Sequence, residues 1–313
     1  LLFAVGCDDF FFFCPTADSA DLGVMPLRLS ETGLYSDLSG DVVAADVFSY
    51  RPTFELWSDG ATKRRWISLP VGTTIDPSDL DSWSFPRGSK LGKEFARDGV
   101  RVETRMLQRI ADGERDWVGQ AYVWNPDQSD AEAAPLGYVD AGGTSHDVPA
   151  AGECVGCHGG RESFVLGFSA IQLSEAGSET LDLESISAMG WLSAPPPAPV
   201  VVPGAPNTRA ALGYLHANCG HCHNSRRPAL TPCFDPNNRL DFWLRTDRLA
   251  SPEQTPTYTS AVGDRIVPGE PSESLVVRRM RTRKFIYRMP PLGTEQVDRD
   301  AVETVSQWIR DLQ

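Results

Sequence analysis

The chain is poor in the residues that hold metals and do sulfur chemistry: its 313 residues include only 7 Cys, 5 His and 5 Met. With so few, any ordered pattern among them is hard to attribute to chance. Long apolar runs are also lacking. Asp8 and Asp9 separate the apolar stretch Leu1 to Gly6 from Phe10 to Phe13, and no other run approaches the length of a membrane span, so a transmembrane helix is not expected. Cations are in deficit, 29 Lys and Arg against 42 Asp and Glu, for a net charge of -13. Nucleic acid and anionic membrane surfaces would be repelled, so neither is an expected partner. A phosphate-cradling Gly loop, a Ser-His-Asp arrangement and a paired-carboxylate signature are all missing.

What is present describes an ordinary folded protein, 41% hydrophobic and 23% charged, with 24 Pro and 27 Gly to make turns. Residues 1–25 read as the remnant of a signal peptide, with a lipoprotein-type variant. Ala4-Val5-Gly6-Cys7 loosely matches a lipoprotein processing site, which would lipidate Cys7; cleavage of an ordinary secretory signal is the alternative. Either predicts a periplasmic or other extracytoplasmic location, with Cys7 as the only expected membrane attachment. In an oxidising compartment Cys14 and Cys233 could pair.

Residues 26–150 read as β-rich. Val100, Val102, Thr104 and Met106 alternate with Arg101, Glu103 and Arg105, and Trp117 to Trp124 alternates likewise. Short strands around Trp66 to Ile75 and Ser82 to Gly88, broken by Pro, Gly and Asp, predict an antiparallel sandwich-like domain. Trp57, Trp66, Trp83, Trp117 and Trp124 are its expected core, or else line a ligand groove. Residues 151–194 form a transition, with a short helix ending near Trp191, and residues 195–206 a Pro-rich linker without packed structure. From 207 to 313 the pattern turns helical. Asn207 or Thr208 would cap a helix running into Cys219, and Asp298 to Leu312 places Val302, Val305, Trp308, Ile309 and Leu312 on one helix face. The expected fold class is thus α+β and multi-domain, β first and all-α second.

Four of the seven cysteines lie in Cys154-Val-Gly-Cys157-His158 and Cys219-Gly-His-Cys222-His223. Two thiols at this spacing can each add to a haem vinyl group, and the following His then falls beneath the iron as its axial ligand. Cys154, Cys157, Cys219 and Cys222 are therefore the expected attachment points of two haem c groups, with His158 and His223 as iron ligands. A zinc ribbon would need its CxxC pairs roughly 15 to 20 residues apart, far closer than here. A dithiol oxidoreductase would need a strand before Cys219, where a helix is predicted. Met289, stiffened by Pro290 and Pro291, is the expected sixth ligand of the second iron.

A helix entering CxxCH, a downstream Met289-Pro290-Pro291 and a closing helix with Trp308-Ile309 resemble a class I cytochrome c domain over about residues 207–312. That resemblance implies crossed first and last helices, with Gly213 and Tyr214 meeting Val305 and Trp308. Leu56-Trp57-Ser58-Asp59-Gly60, Glu103-Thr104-Arg105, Tyr122-Val123-Trp124-Asn125 and Val165-Leu166-Gly167-Phe168-Ser169 extend the likeness. Together they resemble an uncharacterised bacterial family of exported dihaem c-type cytochromes, which implies electron transfer with a redox protein partner.

The first motif departs from the cytochrome c pattern, having neither a helix before it nor a Met-Pro loop after it. Met189, Met106, His146 and His216 are all candidate sixth ligands, Met189 being the nearest downstream; an open position would instead permit catalysis. Three readings stay open: an electron carrier, a dihaem peroxidase or oxidase, and a ligand-binding β domain coupled to haem-based sensing.

Overall fold

The computed structural model describes residues 25–113, 116–174, 180–194, 200–228, 237–284 and 287–312. Cys7, Cys14 and Cys233, with the lipid anchor and the pairing expected of them, lie outside the described residues. The fold is α+β, with antiparallel sheets.

Six strands form one antiparallel meander in sequence order: β3 (Phe48–Ser49), β4 (Thr62–Ser68), β5 (Lys90–Arg97), β6 (Val100–Arg109), β7 (Trp117–Trp124) and β8 (Ala131–Ala133). A two-stranded ribbon, β1 (Tyr35–Asp37) with β2 (Val42–Val43), stands apart from it. Successive side chains of a strand point to opposite faces. Trp66, Met106, Val118, Tyr122 and Trp124 therefore pack on one face against Leu29, Leu34 and Tyr35. Ile67, Leu91 and Trp117 face the other way and meet Phe164, Val165, Phe168, Leu173 and Ile186.

That second layer departs from the expected sandwich: it is the segment after the sheet, carrying the first CxxCH, and not a second sheet. Phe164, Val165, Phe168, Leu173 and Ile186 supply enough apolar surface to cover the sheet but lack the strict alternation of a strand. It also holds the short helices α1 (Cys154–His158) and α2 (Leu183–Ala188), the latter capped by Asp182, whose carboxylate accepts from the Ser185 amide. β5 is a strand that sequence patterning does not predict. Lys90, Lys93, Glu94 and Arg97 give it poor strand propensity, yet it pairs along its length with β4 and β6. Four of the five expected core tryptophans are buried; Trp57 is only half-buried and belongs to none of the clusters.

Beyond Pro206, the regular elements among the described residues are helical: α3 (Pro206–Asn218), α4 (Pro256–Ala261), α5 (Leu275–Met280) and α6 (Arg299–Asp311). Pro206 occupies the first position of α3, where a missing N–H costs nothing, so the helix begins one residue before the expected caps. Asp298 caps α6 by accepting from the Ala301 amide at 3.0 Å. Val302, Val305, Trp308 and Ile309 are buried in one cluster with Leu212, Leu215 and Val277, each contributing about 1.5–3 kcal/mol. Val202, within the segment expected to be an unpacked linker, is buried in the same cluster, and residues 195–199 lie outside the described part. Tyr214 packs against this cluster as the resemblance implied, but the atoms nearest a side chain at Gly213 would be the Phe54 ring. The missing Cβ thus admits a residue of the β-rich half.

Phe54 belongs to a bracket that ties the two halves together. Asn218 Oδ1 accepts from the Trp57 amide at 2.7 Å, and its Nδ2 donates to the Glu55 carbonyl at 3.1 Å. The buried Asp59 carboxylate accepts from the Glu295 and Gln296 amides at 2.8 and 2.9 Å, and Trp57 Nε1 donates to the Gln296 carbonyl. Asp59 has φ of +51°, a conformation that Asp and Asn tolerate better than other residues with side chains. Losing both charge-assisted bonds should cost about 2–4 kcal/mol. Asp59→Ala is accordingly expected to lower the urea midpoint without changing the slope, with Asp59→Asn losing about half as much; an unchanged midpoint for both would contradict this bracket.

Candidate functional site

The first CxxCH motif is the short helix α1, and the second is a hydrogen-bonded turn directly after α3. In the first, Glu153 accepts from the Ala150 amide at 2.7 Å, and α1 follows directly. His158 Nδ1 lies 2.8 Å from the Phe164 carbonyl. A carbonyl can only accept, so Nδ1 carries the proton and the Nε2 lone pair is left bare. Phe164 holds that carbonyl in place at φ of +60°, a conformation costing a bulky residue about 1–3 kcal/mol and typical of functional positions. In the second motif the amides of Cys222 and His223 bond back to the Cys219 carbonyl at 3.1 and 2.8 Å. Asn238 Nδ2 donates to His223 Nδ1 at 2.9 Å, which leaves the proton of this neutral ring on Nε2, and the Phe242 ring lies edge-on to the imidazole. Burial lowers the pKa of both His158 and His223 to about 4, so each ring is neutral at pH 7, the form that binds iron.

The two motifs pack directly against each other. Gly160 abuts the His221 carbonyl so closely that a Cβ there would collide with it. One guanidinium clamps both turns: Arg227 donates to the His221 carbonyl at 3.0 Å and to the Gly156 carbonyl at 3.2 Å. Asn224 adds bonds to the carbonyls of Gly160, Gly220 and His221. The Cys157 and Cys222 thiols hydrogen-bond each other, and this, with burial, raises Cys157 to about 12 while lowering Cys222. The His221 ring also reaches Cys157. Burial raises Cys154 to about 11 and Cys219 to about 12.

The remaining candidate ligands separate. Met289 is half-buried; its carbonyl accepts from Arg283 at 2.9 Å, the same guanidinium that bonds Thr294 and the Met280 carbonyl. Three residues on, Leu292 touches Gly156 of the first motif. Met189 caps the C-terminus of α2 and is 39% exposed, outside every apolar cluster. Met106 points into the opposite face of the sheet, because Leu107, its neighbour on β6, is the residue that meets Gly119 beside the Cys154 sulfur. His146 is buried and spends Nε2 on Glu103 at 2.7 Å. His216 accepts the Leu244 amide on Nδ1, so its buried, unpartnered Nε2 carries a proton and offers no lone pair.

The first motif fits a covalently attached haem, with paired thiols on a helical turn and a neutral imidazole whose Nε2 carries the lone pair; the second has the paired thiols and the neutral ring, but His223 would have to give up the Nε2 proton that the Asn238 bond places there. Among the described residues no three His, Cys, Asp or Glu side chains gather into a group that could hold a metal ion. Comparison with known protein families, curated proteins and solved structures finds no match to this chain.

Sequence patterning missed Phe164, His221, Asn224 and Arg227. Their roles come from packing one motif against the other, which carries no local signal. Gly160→Ala is expected to cost about 3 kcal/mol or more, because backbone must move to admit the methyl. Gly156→Ala, inside α1 with only the flexible Leu292 at 3.4 Å, should be near neutral. Equal urea midpoints for the two variants would contradict the apposition.

Proposed function

We propose that this protein is an exported dihaem c-type cytochrome that passes electrons between redox partners. Haem c would be held at Cys154 and Cys157, and again at Cys219 and Cys222, with His158 and His223 as axial ligands. The observation carrying this reading is the bond from His158 Nδ1 to a backbone carbonyl in the first CxxCH turn, against which the second CxxCH turn lies. When bound, each haem supplies a one-electron couple. The chain's own residues orient the imidazoles, keep them neutral and exclude water; the Gly160–His221 contact sets the spacing of the two attachment points. Burial of this kind favours fast transfer because little solvent reorganises around the redox group.

The helical half reads as a class I cytochrome c domain, with Met289 as distal ligand to the second iron and Arg283 holding its loop. A periplasmic location, with or without a lipid at Cys7, is the reading that the apolar N-terminal stretch supports; the redox partner would be basic or neutral. One observation favours a second reading, a dihaem enzyme. Of the candidate distal ligands weighed for the first iron, Met106 faces away, His146 is engaged, His216 has no free lone pair and Met189 is solvent-exposed. An open position there would admit a small substrate.

A pyridine haemochrome assay on the exported protein should count two haems per chain, falling to one in Cys154→Ser/Cys157→Ser. Met289→Ala should remove the thioether-to-iron charge-transfer band and lower one potential, on the order of a hundred millivolts. A count of zero contradicts the proposal. Binding of cyanide by one ferric haem would move the protein from the carrier to the enzyme reading.

A further inference from the structure

The covered face of the sheet carries a row of charge that nothing above uses. Arg65 on β4, Lys93 on β5 and Arg105 on β6 lie directly opposite one another in register, and Ala121 on β7 completes the row. Like charges opposite each other destabilise a sheet, and buried ones do so more. Acidic compensation is partial. Glu103 takes Arg105 in a two-point bond and also takes His146. Glu55 reaches Arg65 only at 3.5 Å, its closer partner being Arg51 at 2.8 Å. Lys63, one position along β4 on the same face, donates to the neutral Leu56 carbonyl. Lys93 has the Phe95 ring 4.7 Å beneath its ammonium and no hydrogen-bond acceptor or ion-pair partner among the described residues. Burial, together with Arg65 and Arg105 beside it, holds the Lys93 pKa well below the ordinary lysine value.

The row lies next to the first motif. Gly119, two residues before Ala121 on β7 and on the same face, has the Cys154 sulfur against it, 3.3 Å from where a Cβ would stand. The row is thus offset about 7 Å along the strands from Gly119, and across the sheet Arg105 stands one strand, Lys93 two and Arg65 three strands from β7 at about 4.8 Å each. Other parts of the chain carry less. A shallow surface dip between Arg161, Arg226, Arg245, Asp81 and Asp241 has no room for a ligand and is lined by charges that largely cancel.

We propose that Arg65, Lys93 and Arg105 form a binding site for an oxyanion, with the Lys93 ammonium as its unfilled donor, adjoining the first haem-attachment turn. Guanidinium and ammonium groups recognise carboxylate and inorganic oxyanions through the same charge-assisted bonds. Two sources share that chemistry: a propionate of a haem attached at Cys154, or a free anion entering beside that haem. The propionate source rests on the preceding functional reading; the free-anion source does not.

The test uses the full-length exported protein, its haem content counted first. Calorimetric titration with inorganic phosphate at constant ionic strength probes the free-anion source. Saturable binding, weakened about tenfold or more in Lys93→Gln but not in Lys90→Gln on the opposite face, supports it. Absence of phosphate binding, with propionate-bending bands in the resonance Raman spectrum that shift in Lys93→Gln and not in Lys90→Gln, assigns the row to the propionate instead. Arg65→Gln removes charge from the same row and serves if Lys93→Gln does not fold, as judged by circular dichroism. A folded protein that shows neither response overturns the site. Phosphate binding in a chain without haem keeps the site and removes the functional reading.

Discussion

The close approach of Gly160 to the His221 carbonyl is the constraint on which the other arrangements depend. No side chain fits between the two turns, so their backbones meet, and the carbonyls of Gly156, Gly160 and His221 become available to Arg227 and Asn224. A buried guanidinium bonded to carbonyls on two different segments fixes their separation more firmly than apolar packing alone. Because the first turn is also packed on the sheet, through Cys154 against Gly119 and Leu107, the second turn inherits a fixed position relative to the β-rich half. The Asn218 and Asp59 bonds secure the same relationship from the other side.

That arrangement makes the β-rich half part of the site. It covers one turn, carries the charged row beside it, and sends residues 54–59 to both the helix leading into Cys219 and the segment following Met289. The helical half and the sheet therefore share one polar junction, while each keeps its own apolar core. Paired haems at this junction would be close enough for the charge of one to alter the potential of the other, because little water lies between to screen it.

Much of the fold was legible in the sequence where local pattern and tertiary environment agree. β6 and β7 fall where the alternation of residue types predicts strands, although both of their faces are covered; α6 has its cap at Asp298 and its apolar stripe in register with the 3.6-residue period. The failures have physical causes. β5 breaks strand propensity because its inward residues include Lys93, a charge that apolar patterning treats as solvent-facing. Among the described residues no second sheet packs on the six-stranded one, because Phe164, Val165, Phe168, Leu173 and Ile186 cover it without repeating a strand period. Trp57 looked like core but serves as a bracket, and only its partners in space, Asn218 and Gln296, reveal that. At the candidate site the residue types and spacing of both CxxCH motifs were fully legible. Their apposition was not, since it depends on a glycine whose significance lies in what it touches. The αL conformation of Phe164 is likewise invisible to pattern, because no residue preference marks a phenylalanine for it.

The two CxxCH turns are held against each other, and on the proposed reading they would bring two haems into one coupled unit. Stepwise reduction of the loaded protein, followed by electron paramagnetic resonance, tests this most directly. The account predicts that reducing the first haem changes the signal of the haem still oxidised, and that the two potentials are interdependent. Two signals that disappear independently, each following its own one-electron curve with no change in the other, would contradict it.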